Sequence, residues 1–255
     1  MKRVILLILV GALGLFLSTC TNNKKTATEE QEQVKESEYL VPGLEHGLMQ
    51  SPINILSSET NQGRYNVTLN FKGEINMIEN LGHTVQLDFS PGNTITLAGE
   101  TYEFRQLHFH TPSEHLIDGV TYPMEMHVVN TLTGQKKDET PKYLVLAYLF
   151  KMGKQEPFIE LFLDLIPEEE NQTRDVNLNL LTSGITNEEQ LKQEFRSFYH
   201  YKGSLTTPPY TESVDWYVLS NIYEASPEQI QRINELEGDN ARHIQAVYGR
   251  EIDEN

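Results

Sequence analysis

Between residues 66 and 97 apolar and polar positions alternate with a period of two. Asn66 to Phe71 (NVTLNF), Thr84 to Phe89 (TVQLDF) and Thr94 to Leu97 each place every second side chain on one face, as half-buried strands do. Ser90-Pro91-Gly92-Asn93 joins the last two as a turn. Tyr143 to Phe150 (YLVLAYLF) is almost continuously apolar, which predicts a central strand buried on both faces, and Trp216 to Leu219 predicts a shorter one.

Two stretches carry helical signals. Thr186 stands three residues before Glu189, a capping-box spacing, and Leu191, Phe195 and Phe198 then mark one helical face. Ser226-Pro227 with Gln229 opens a second helix, with Ile230 and Ile233 on its apolar side and Gly238 near its end. Both stripes read as core packing. The fold class expected is mainly β, a single domain with short peripheral helices.

The first twenty residues change the picture of where the chain resides. Lys2 and Arg3 precede an apolar run, Val4 to Leu17, too short to span a bilayer comfortably and ending at Cys20, the one cysteine of the chain. Residues 1–20 therefore read as an export signal. Leu17-Ser18-Thr19-Cys20 resembles a bacterial lipobox, in which the cysteine is lipidated, although Thr19 departs from the usual small residue. Residues 21–38 are polar, charged and without aromatics, the composition of a disordered tether. Residues 39–255 form the domain. This layout implies an exported protein held at a bacterial membrane surface only through a lipid anchor. The formal net charge of -17 argues against nucleic acid as a partner, because phosphate contacts need a basic surface.

Candidate chemistry concentrates in QLHFHTPSEHLIDGVTYPMEMH, residues 106–127, which holds four of the eight histidines. In a strand, His108 and His110 share a face and can converge on one ion. His127 closes a second pair of this parity, Glu125-Met126-His127. Pro112, Gly119 and Pro123 in between allow the chain to turn back, so that a neighbouring antiparallel strand brings His127 beside the first two. Three neutral imidazoles with a fourth position open suit a catalytic zinc. Such ligands need outer acceptors, and Gln106 and Glu125 have the parity to supply them. His115 has another parity, beside Glu114; on pattern alone, any three of the four histidines qualify.

Several motifs occur in a fixed order: Gln50-Ser51-Pro52-Ile53-Asn54-Ile55, Asn80-Leu81-Gly82-His83, Gln106-Leu107-His108-Phe109-His110, Ser113-Glu114-His115, Glu125-Met126-His127 and Gly203-Ser204-Leu205-Thr206-Thr207-Pro208-Pro209. Together they resemble the α-class carbonic anhydrases, from about Gln50 to Arg242. The resemblance implies a large, mostly antiparallel twisted sheet with zinc at the base of a cavity. It implies His108, His110 and His127 as ligands to Zn2+, Gln106 and Glu125 as their outer partners, and a structural role for His115. Glu114 would orient Thr206, and His83 would shuttle protons. Val129, Val145, Leu205, Thr207, Val214 and Trp216 would line the substrate pocket, and Asn80 and Gln86 the water-filled cavity. The implied reaction is reversible hydration of carbon dioxide to bicarbonate and a proton by a zinc-bound hydroxide. Sulfonamide-type inhibitors and a monomer or homodimer are expected with it.

The match has gaps. Tyr39 to Met49 is short and lacks the tryptophans usual before Gln-Ser-Pro-Ile, leaving Tyr39 a poor counterpart of the family's cavity tyrosine. Leu81 replaces a polar cavity residue of many relatives. A disulfide of many bacterial relatives is missing at both ends, with Tyr210 at one of its positions. The alternative functions are a non-catalytic carbonic anhydrase-like binding domain and a zinc-handling surface lipoprotein. A serine hydrolase is disfavoured, since no Gly-x-Ser-x-Gly elbow occurs.

Overall fold

The structure, a computed structural model, describes residues 47–255. The expected export signal with Cys20, the tether at 21–38 and residues 39–46 of the domain lie outside the described residues.

Eight strands build the body of one sheet: β1 (Glu74–Asn80), β2 (Val85–Phe89), β3 (Glu100–His110), β4 (Met124–Leu132), β5 (Tyr143–Met152), β6 (Gln172–Asn179), β7 (Phe198–Gly203) and β8 (Val214–Ala225). They lie in the order β6, β1, β2, β3, β4, β5, β8, β7. Asp253–Glu254 and then Asn61–Gln62 extend the sheet beyond β7, while Thr94–Leu97 pairs with the start of β3 and Thr68–Asn70 with Thr94–Leu97, making twelve strands. Pairing is antiparallel except between β5 and β8 and between Asp253–Glu254 and Asn61–Gln62. Helices α1 (Pro157–Phe162), α2 (Glu188–Glu194) and α3 (Pro227–Glu237) are short.

The central run Tyr143 to Phe150 is buried on both faces because it serves two cores. Leu144, Leu146 and Phe150 enter the larger core, whereas Val145, Ala147 and Leu149 enter a smaller one with Ile53, Tyr201 and Trp216. Full burial of such a side chain contributes about 2 kcal/mol, so a one-residue slip that exchanged the two sets would be heavily disfavoured. The same alternation in β4 sends Met126 and Val128 to the larger core and His127 to the opposite face.

Two local expectations are corrected. Helix α2 is capped by Asn187, whose carboxamide oxygen accepts from the Glu189 and Gln190 backbone at 3.1 and 3.0 Å; Thr186 is not the cap. Asn187 is as good a capping residue as Thr186 and lies one residue closer to the helix. Phe198 is not on that helix but opens β7, where its ring meets Tyr217 edge-on at 5.0 Å. At α3 the Ser226 and Gln229 capping box forms as expected. Trp216 to Leu219 proves to be the middle of twelve-residue β8, hidden in the sequence because Ser220, Asn221 and Glu224 interrupt the apolar pattern.

Candidate metal centre

Strand pairing delivers the three histidines to one place. His108 and His110 stand two apart on β3, and the antiparallel register sets His127 of β4 opposite His108, with Glu125 opposite His110. The ring centroids lie 5.0, 5.2 and 4.6 Å apart, and one nitrogen from each ring falls within 4.8 Å of the others. A β-bulge between Val129 and Asn130 shifts the register against β3, with exposed Arg105 as the unpaired residue. It reverses the parity of β3, so that Phe104 packs in the same core as Leu107 while Gln106 keeps the face of His108.

Outer hydrogen bonds select which nitrogens remain available. His108 Nδ1 lies 2.9 Å from Gln106 Oε1, leaving Nε2 open. His127 Nε2 lies 2.6 Å from Glu125 Oε1, leaving Nδ1 open. His110, 3 % exposed, has no hydrogen-bond partner at either ring nitrogen. Burial first, and neighbouring imidazoles second, hold the His108 pKa well below its ordinary value; burial likewise lowers that of His110. Neutral imidazoles with an unshared pair aimed at a common point are what a zinc ion needs, so these residues fit the metal.

His115 stays apart from the triad. Its Nδ1 meets Glu125 Oε1 at 2.6 Å, its backbone N–H donates to Glu125 Oε2 at 2.7 Å, and its Nε2 lies 2.6 Å from the Tyr201 hydroxyl. Although His115, Glu125 and His127 also cluster, their short contacts form a closed hydrogen-bond chain. Tyr201 continues it to Ser51 Oγ at 3.0 Å, which also accepts from the Ser204 N–H at 3.1 Å. Gly203 makes that approach possible: a Cβ there would sit 2.1 Å from Ser51 Oγ and 2.9 Å from the Trp216 ring.

Glu114, 1 % exposed, accepts from the Arg242 backbone N–H at 2.9 Å through Oε1. Its Oε2 lies 3.6 Å from His110 Nε2 and 3.9 Å from His127 Nδ1 but has no hydrogen-bond partner, so no bond from Thr206 to Glu114 is formed here. A cavity of about 460 Å³ reaches the triad. It is lined by His108, His110, Gln106, Gln86, His83 and Thr207 among others, so three separate motifs meet in it. His83 is exposed on the turn after β1, with its Nδ1 3.0 Å from Leu81 O and its carbonyl accepting from Asn240 at 2.8 Å.

Not every expected pocket residue reaches this cavity. Val129, Val145 and Trp216 lie side by side across β4, β5 and β8, and with Val214 and Leu205 they belong to the smaller core, on the same face of the sheet as His127. The Trp216 ring is 4.8 Å from that of His127. Asn80 does not line the cavity. It is 1 % exposed and holds the turn, donating to Pro167 O at 2.9 Å and accepting from the Gly82 N–H at 2.9 Å. Sequence reasoning missed Arg242, Tyr201 and Asn240, each remote from the histidine stretch. Their one signal was a polar or aromatic residue inside an otherwise loop-like or apolar segment.

Comparison with known proteins agrees with this geometry. The family model for eukaryotic-type carbonic anhydrase matches residues 36–255. A carbonic anhydrase of Pectobacterium carotovorum is 36 % identical over 209 residues, covering 82 % of this chain and 80 % of the relative. The solved structure of α-carbonic anhydrase from Thermovibrio ammonificans with the inhibitor sulfanilamide superposes with a TM-score of 0.70. It is 32 % identical over 80 % of this chain and 86 % of that one. Dioscorin complexed with ascorbate also superposes with a TM-score of 0.70, at 26 % identity over 82 % of this chain and 86 % of that one. With the family model matching residues 36–255 and relatives above 30 % identity over most of the chain, the chain belongs to the eukaryotic-type, or α, carbonic anhydrase family.

Proposed function

We propose that the protein catalyses the zinc-dependent, reversible hydration of carbon dioxide to bicarbonate and a proton. The observation that carries this reading is the convergence of three imidazoles, His110 and His127 buried and His108 half-buried, two of them oriented by outer acceptors, beside a cavity lined by His108 and His110. Zinc held by His108, His110 and His127 would supply Lewis acidity and an activated water.

The chain's own residues do the rest. Gln106 and Glu125 fix the tautomers of His108 and His127 and so the direction of their lone pairs. Glu114 Oε2, buried and without a partner, is the acceptor we assign to the Thr206 hydroxyl; a hydroxyl held as donor to a carboxylate can itself accept only from the reacting water. Val129, Val145, Leu205, Val214 and Trp216, the apolar cluster packed beside His127, are the wall we assign to an uncharged substrate, and Thr207 lines the cavity as its polar rim. His83, exposed in the same cavity, takes protons out to solvent, for which an imidazole is the apt group near neutral pH.

The test is stopped-flow carbon dioxide hydration on purified protein of known zinc content, with sulfanilamide as inhibitor. Turnover that requires zinc and falls with sulfanilamide is expected. Stoichiometric zinc without hydration would replace this reading with a binding or metal-handling role. We also assign Cys20 as a lipid attachment site of an exported protein, on the lipobox-like ending of residues 1–20. Cys20→Ser should then move the protein from the membrane fraction to the soluble fraction; unchanged partition would overturn the assignment.

A further inference from the structure

The face of the sheet opposite the histidines carries a second cavity, of about 180 Å³, roofed by α2. Its floor is Phe104, Leu107, Met126 and Val128, and its roof includes Leu191 and Phe195. Strand parity separates it from the metal centre, because Leu107 alternates with His108 and Met126 with His127. The wall is overwhelmingly apolar, yet two carboxylates, Glu156 and Glu194, line it, and among the described residues no lysine or arginine does. The Tyr223 hydroxyl is buried beside Glu194.

From this arrangement we propose that the cavity is a binding site for a small organic ammonium ion, an aromatic or alkyl body carrying a primary amine. An apolar cavity of about 150 Å³ accommodates a benzene ring, so this one takes a ring with a short side chain. The apolar body replaces no hydrogen bonds on the cavity wall, and Tyr148 and Tyr223, with ring centroids 5.4 Å apart, add aromatic surface near the carboxylates. Both carboxylates are half-buried, Glu156 accepting from the Phe158 N–H at 3.3 Å as the cap of α1, and an apolar wall solvates the charge of each poorly. Burial raises the pKa of both, and the charge of Glu156 raises that of Glu194 further, so a cation between them relieves both penalties at once. The site is independent of the zinc chemistry, since no residue of the histidine cavity lines it.

Calorimetric titration of the purified protein with 2-phenylethylammonium, 2-phenylethanol and phenylacetate tests this, with and without saturating sulfanilamide. The ammonium ion should bind at least tenfold more tightly than the alcohol, the carboxylate should not bind, and sulfanilamide should change neither result. Glu194→Gln should bring the ammonium ion to the affinity of the alcohol and leave alcohol binding in place. Equal affinity for ammonium ion and alcohol, displacement by sulfanilamide, absence of binding, or an unchanged preference in Glu194→Gln would each overturn the proposal. Should that variant not fold, the order of affinities on the native chain, ammonium ion over alcohol over carboxylate, decides the matter.

Discussion

Glu125 Oε1 lies 2.6 Å from His127 Nε2, and both side chains are sealed from solvent. Burial pushes the Glu125 pKa up, but the pull of His115 and His127 and their hydrogen bonds outweigh it, holding the carboxyl well below its ordinary range. The pair therefore leaves His127 Nδ1 directed at the common point. Glu125→Gln removes the charge while keeping the shape, and zinc affinity should fall about 10–100-fold, as measured by competition with a chelator. His127→Ala should abolish stoichiometric zinc altogether. An unchanged affinity in Glu125→Gln would refute the role given to its charge.

His83 is exposed, on a turn, and touches the metal centre only through the shared cavity. His83→Ala should keep its zinc and slow turnover roughly 100-fold at most buffer concentrations, a typical effect of losing a positioned proton carrier. Added imidazole should restore the rate. Loss of zinc in this variant would show that His83 is structural rather than a carrier.

Tyr210 follows Pro208-Pro209, and the Arg242 guanidinium stacks 3.8 Å over its ring. Arg242 also donates to Gln50 Oε1 at 3.0 Å and to Ser51 O at 2.7 Å, so it ties the N-terminal edge of the domain to the loop after β7. Tyr210→Leu should cost about 1 kcal/mol in urea unfolding, the size of a cation–π contact. Arg242→Ala should cost roughly 2–4 kcal/mol, since charged hydrogen bonds go with it. Equal midpoints for Tyr210→Leu and the native chain would remove the ring contact from the account.

Glu237 sits at the end of α3 with Oε1 accepting from Thr111 Oγ1 at 3.1 Å and Oε2 from the Val85 N–H at 3.3 Å. Burial nevertheless pushes its pKa from 4.5 up to about 8. A carboxyl whose folded pKa is raised holds its proton more firmly when folded. Its contribution is whole below pH 4.5 and is lost as pH rises towards 8. Glu237→Gln should remove that decline, so its advantage over the native chain should grow by a few kcal/mol, in order of magnitude, between pH 5 and pH 9. Urea unfolding at the two pH values checks this; parallel profiles would contradict it.

The sequence by itself determined the elements with a strong period and the chemistry with a local spacing. Thr94 to Leu97 and the Ser226 cap stand as expected, because alternation and capping act within a few residues. The pairs His108 with His110 and Glu125 with His127 were legible for the same reason: side chains two apart on a strand share a face. Which third histidine joins the first pair was not legible from spacing, only from resemblance. Tertiary structure decided it through strand register, which sets His127 against His108 and draws His115 away into the Glu125 and Tyr201 chain. It also decided that Asn80 braces a turn instead of lining the cavity, and that Arg242 anchors Glu114 across 128 positions of sequence. Such contacts arise from which strands pair and which faces meet, a free energy summed over the whole core, and no short window of residues contains it.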